Sequence, residues 1–132
     1  MTKWLNSLQP WGALLLRLVL GTPLAFHGYQ KVVPHGALDH YSHYIATLGL
    51  PYWLGYVSAF TELIGGACLI LGLLTRLVAA LVAINMLVAL FKIGIHEKLD
   101  GWSYIAALAA IAIMLVCYGA GKLALDRKIG LA

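Results

Sequence analysis

Four apolar runs, at residues 11–33, 52–74, 77–95 and 102–120, occupy most of this 132-residue chain. Each is close to the ~20 residues a helix needs to cross a bilayer. Backbone N–H and C=O groups find no water in hydrocarbon, so a spanning segment must pair them internally, which an α-helix does. Only 11% of the residues are charged, against roughly 25% in soluble domains. The expected architecture is all-α: an integral membrane bundle of four transmembrane helices, a single domain over 1–132. The first run is too long for a removable signal peptide, and Arg17, Pro23 and His27 interrupt it. No soluble domain is expected at either end.

The connections differ in length. Residues 1–10 read as an interfacial lead-in, with Trp4 and Trp11 at headgroup level. Pro23 removes a backbone donor and is expected to kink the first span near 21–23. In the longest connection, 34–51, Leu38, Tyr41, Ile45 and Leu48 recur at helical spacing while Asp39, His40, His43 and Thr47 fall elsewhere. This predicts a short amphipathic helix on the outer surface between spans 1 and 2, with Gly49 ending it and Pro51 opening span 2. Leu74, Thr75 and Arg76 force a tight hairpin between spans 2 and 3. Gly65, Gly66 and Gly72 give span 2 a smooth face for close helix contact.

The net charge of +4 reads as membrane topology. With four spans, both termini share a face carrying Lys3, Arg76, Lys122, Arg127 and Lys128; the other face carries Lys31, Lys92 and Lys98. Counting Lys and Arg places the termini in the cytoplasm. No basic stripe is interleaved with exposed aromatics, which argues against nucleic acid as a partner. Cys68 and Cys117 match neither a CxxC pair nor a zinc spacing and read as inert, buried thiols.

Two charges stand inside apolar runs: Arg17 in the first and Glu62 in the second. An ionised group in hydrocarbon costs a few kcal/mol even on lenient scales, so it persists when paired or facing a polar cavity. Counting ~1.5 Å of rise per residue from the expected span ends brings Glu62 between Arg17 below and His27 above, with Asn85 at an intermediate height. Arg17, Gly21, Leu24, Gly28 and Lys31 share one helical face, with His27 beside it. These four side chains, Arg17, His27, Glu62 and Asn85, form the candidate site. One reading makes Arg17–Glu62 a structural clamp between spans 1 and 2. The other makes it a ligand site, in which Glu62 and His27 handle protons and Arg17 fixes an anionic or carbonyl group. A bundle this small leaves little interior for a substrate. His35, His40, His43 and His96 gather on the outer face without a ligand motif, so no metal is assigned. Tyr41, Tyr44, Tyr52, Trp53, Trp102 and Tyr104 read as an aromatic belt, or as walls of an apolar ring-binding cleft.

A series of motifs is shared with a known family. Arg17-Leu-Val-Leu-Gly21 is followed by Phe26-His-Gly28 and Lys31, then Leu48-Gly-Leu-Pro51. Next come Glu62-Leu-Ile-Gly-Gly66 and Gly72-Leu-Leu-Thr-Arg76, and finally Gly119-Ala-Gly-Lys with Leu125-Asp126. In this order and spacing, from about residue 12 to 128, the chain resembles the DoxX family of small bacterial four-helix inner-membrane proteins. The resemblance implies an inner-membrane location. It also implies an association with quinone-linked redox systems, since the family takes its name from a subunit of a terminal quinol oxidase. Quinone is thus the cofactor it points to, with a membrane or redox protein as partner beside the lipid bilayer. Ala124 departs from the pattern, where members often carry Ser.

The expected function is an accessory or quinone-associated component of a membrane redox system, with a proton exchanged between Glu62 or His27 and a quinone-like headgroup. The alternative is a scaffolding membrane protein that recruits an enzyme. A transporter would require a homo-oligomer, because a single bundle has no room for alternating access between repeats.

Overall fold

The computed structural model describes residues 2–131. The described residues form seven α-helices and no strand: α1 (Thr2–Ser7), α2 (Gln9–Val32), α3 (Ala37–Thr47), α4 (Trp53–Leu71), α5 (Thr75–Lys92), α6 (Leu99–Tyr118) and α7 (Leu125–Lys128). A 3-10 turn, Gly94–His96, extends α5. Three helices are long and apolar enough to cross a membrane: Trp53–Leu71, Thr75–His96 and Leu99–Tyr118. α2 is longer, at 24 residues, but Arg17, Pro23, His27 and Lys31 dilute its apolarity.

Local chemistry sets the helix ends. Pro10 lies in the first turn of α2, where a missing N–H costs nothing. Pro23 removes one helical hydrogen bond without ending the helix, which runs on through 21–23. Gly72 closes α4 in the left-handed conformation, φ 72°, which glycine adopts without a Cβ penalty. Leu74 takes φ 50° directly afterwards, the one described residue other than glycine with positive φ.

α2 lies along α4 in close contact. A Cβ on Gly21 would come 2.7 Å from the Gly66 carbonyl oxygen, and one on Gly66 would come 2.7 Å from that of Gly21. Two turns higher, Gly28 abuts the Leu63 backbone. These contacts fix the register of the two helices. Gly65 turns instead toward Val78 and Val82 of α5. Gly72 belongs to the cap and not to the smooth face expected of it.

α5 packs against α6 and α4 against α2, and Leu20, Leu24, Leu69, Val82, Ala112 and Leu115 lie in the shared core. Outward, Leu15, Val19, Phe26, Val57, Ile64, Leu81, Ile84 and Ile113 are exposed. An apolar exterior of this extent suits lipid and not water. α3 lies across the outer end of α4, with Ser42 and Ile45 buried. Ser42 sits on Gly55, where no side chain intervenes. The amphipathic helix expected between the first two spans is present.

After α6 the chain folds back under the bundle. Gly121 meets Pro10 and Ala13 of α2. The Asp126 amide donates to the Gly72 carbonyl at 2.9 Å, and the Asp126 carboxylate accepts from the amides of Leu74 (2.5 Å) and Thr75 (2.7 Å). A side chain 52 positions away thus caps the start of α5.

Candidate functional site

Glu62 is buried, and its partner is Lys31. The Lys31 ammonium donates to both carboxylate oxygens at 2.9 Å, and Asn85 Nδ2 donates to Oε1 at 3.2 Å. Lys31 also lies 4.3 Å from the centroid of the Tyr41 ring, within range of a cation–π attraction. Tyr41 in turn shares a hydrogen bond with Ser58 at 3.0 Å. Three helices therefore meet at one carboxylate: α2 brings Lys31, α4 brings Glu62 and α5 brings Asn85. α3 closes the group from above through Tyr41.

The expected Arg17–Glu62 pair does not form. The glycine contacts place Gly21 level with Gly66 and Gly28 level with Leu63, so Arg17 falls level with the end of α4. Ten residues separate Glu62 from Gly72, about 15 Å along the helix axis. Arg17 is 1% exposed, and its Nη2 donates to the Leu123 carbonyl at 2.6 Å. A Cβ on Gly72 would run into its Nη1. Arg17 thus reaches from α2 to hold the folded-back tail. The ends of the two helices are not flush: α2 extends about two turns beyond the end of α4, which lowers Arg17 away from Glu62.

His27 also departs from its expected place. It is exposed at the rim, edge-on to Phe26, and makes no hydrogen bond to Glu62 among the described residues.

Above the Lys31–Glu62–Asn85 group opens a cleft of about 570 Å³. His27, Lys31, Glu62 and Asn85 line it beside Tyr41, Tyr44 and Tyr104, and much of the remainder is Leu, Ile and Val. The little interior expected of a small bundle is corrected here. α3 roofs a space that the packed helices alone would not enclose. Apolar walls converging on a few polar groups, at a volume within ~300–1,000 Å³, are typical of small-molecule sites.

On the outer surface, Tyr52 donates a hydrogen bond to Asp39 and lies near Tyr56. Its phenol is held above the ordinary tyrosine range, first by the bond to Asp39 and then by Tyr56. His43 lies 3.5 Å from the Asp39 carboxylate. No group of three metal-ligating side chains converges among the described residues. Cys68 and Cys117 are both free; Cys117 is exposed and not buried as expected.

Lys31 and Asp126 were not among the candidate residues. Lys31 had a signal, since it continues the face of Gly21, Leu24 and Gly28. Asp126 had only its place in the shared Leu125-Asp126 motif, and nothing local points to its partners, which lie 51 and 52 positions away.

The helices and the polar-floored cleft define a small, multi-pass, all-helical membrane protein. The family model for DoxX matches residues 12–95, and the chain belongs to the DoxX family. It is 32% identical over 118 residues, 87% of this chain and 84% of the relative, to a Bacillus subtilis (strain 168) protein named "Putative oxidoreductase CatD". No solved structure matches the chain.

Proposed function

We propose that the outer cleft binds an apolar, ring-bearing carbonyl compound of the quinone class, and that the protein is an accessory or quinone-associated component of a membrane redox system. The observation that carries this reading is the cleft itself, which joins tyrosine walls to a polar floor at Lys31, Glu62 and Asn85, with Lys92 as a further cation in the lining. The ammonium of Lys31 takes the orienting role first considered for Arg17, turning one N–H toward a ligand oxygen. Glu62 accepts or returns a proton, and His27 at the rim connects the floor to the outside. Reducing a quinone to a quinol consumes electrons and protons in equal number. The electrons come from a redox partner; the cleft handles the protons. The relative's name, with its reference to oxidoreduction, is in keeping with this role.

The same reading includes four spans. α2 turns Arg17, Leu20, Leu24 and Gly28 inward and leaves Leu15, Val19 and Phe26 outside, the pattern of a helix in lipid with its polar groups sequestered. The excess of Lys and Arg on the tail side favours termini on the cytoplasmic face of the inner membrane.

Titration of the protein in nanodiscs with a short-chain quinone, followed by quenching of tyrosine and tryptophan emission, tests the site. Saturable quenching is expected for the wild type, with affinity lowered about tenfold or more in Glu62→Gln and Lys31→Gln. Equal affinity in all three proteins overturns the assignment.

A further inference from the structure

A second cavity, of about 380 Å³, lies at the opposite end of the bundle, where the folded-back tail meets the α4–α5 turn and the end of α6. Arg76, Lys122 and Arg127 line it, and all three are exposed. None forms an ion pair or a side-chain hydrogen bond among the described residues. The one carboxylate in the lining, Asp126, is 3% exposed, and each of its oxygens accepts a backbone N–H. The cavity thus presents three cations against one carboxylate, and that carboxylate is engaged by backbone amides. The amides of Gly121 and Lys122 likewise make no hydrogen bond within the protein, among the described residues. The remaining wall includes Leu74 and Tyr118, both partly exposed, at the depth where membrane helices end.

We propose that this cavity binds the phosphate of an anionic phospholipid headgroup, with the acyl chains leaving along Leu74 and Tyr118. Basic pockets between helix ends at the membrane surface attract such headgroups, and arginine and lysine provide charge-assisted hydrogen bonds to phosphate oxygens. The apolar wall favours a lipid over free phosphate, because an inorganic ion leaves that surface uncovered. The site depends on the tail: Lys122 and Arg127 reach the cavity only because Arg17 and the α4–α5 turn hold the segment from Gly119 to Lys128 against the bundle.

The test uses the full chain, delipidated in detergent, with lipid binding read by native mass spectrometry and thermal shift. The probes are phosphatidylglycerol, phosphatidylcholine, glycerol 3-phosphate and inorganic phosphate. Phosphatidylglycerol is expected to bind the wild type about tenfold tighter than phosphatidylcholine, with Lys122→Gln/Arg127→Gln losing most of that preference. Lys128→Gln is the control: equally basic and on the same tail, it lies outside the lining and is expected to bind as the wild type does. Equal binding of the two lipids by the wild type overturns the proposal without reference to any variant. So does an equal loss in Lys128→Gln, which reduces the effect to diffuse charge. Stabilisation by inorganic phosphate or glycerol 3-phosphate as strong as by phosphatidylglycerol overturns the lipid as occupant.

Discussion

Removing the ammonium of Lys31 while keeping its length, as in Lys31→Met, isolates what the central ion pair does for the bundle. The Glu62 side chain is 6% exposed and would keep one neutral donor, Asn85 Nδ2 at 3.2 Å. Breaking a buried pair by deleting one partner costs ~3–5 kcal/mol, because the remaining charge is uncompensated. The Lys31 side chain is 27% exposed, so screening at the cleft lowers the expected cost to about 2–3 kcal/mol. That corresponds to a change of roughly thirty- to a hundredfold in the folding equilibrium, at about 1.4 kcal/mol per decade. The double replacement Lys31→Met/Glu62→Met removes both charges and is expected to recover at least half of the loss, since apolar residues replace a buried pair at little cost. Reversible unfolding in mixed micelles of increasing SDS fraction, followed by circular dichroism, measures all three proteins. A Lys31→Met protein within about 0.5 kcal/mol of the wild type, or a double variant no more stable than the single one, would refute the view that Glu62 is held by Lys31. The same double variant removes the Lys31–Glu62 pair from the cleft while Lys92 stays in its lining, so its quinone affinity separates a clamp from a ligand site.

Asp126→Ala removes the acceptor for two amides at the start of α5 and is expected to destabilise by about 1–2 kcal/mol, the range for a lost helix cap. Limited trypsin digestion at Arg127 and Lys128 should accelerate; unchanged cleavage would show that the carboxylate does not hold the tail. Gly55→Val places a side chain where Ser42 rests on α4, lifting α3 and Tyr41 from the cleft. Quinone affinity should fall while helix content stays constant, and unaltered affinity would mean that α3 is no part of the site.

Much of the architecture was legible along the chain because bilayer thickness and hydrogen bonding act segment by segment. The apolar runs located the long helices to within a few residues, and the spacing of Leu38, Tyr41, Ile45 and Leu48 located α3. The ion pairs were not legible in the same way. Glu62 and Arg17 stand out in the sequence and Asn85 is placed beside Glu62, yet Lys31 and the Leu123 carbonyl are not legible as their partners, because pairing depends on how far one helix slides past its neighbour. That offset is set by Gly21 against Gly66 and Gly28 against Leu63. A slip of one or two turns costs nothing in hydropathy and changes every cross-helix contact.

The sequence by itself determined that the chain forms apolar helices in a membrane, with an amphipathic segment between the first two long runs and acids too few to match its bases. These follow from composition and from periods of a few residues. Only the tertiary structure decided that Lys31 meets Glu62 beneath Tyr41, that Arg17 and Asp126 fasten the tail to the bundle, and that α3 roofs a cleft. Those contacts join positions 31, 52 and 106 residues apart. The close approach of backbones at a few glycines brings them together, and no local pattern encodes that approach.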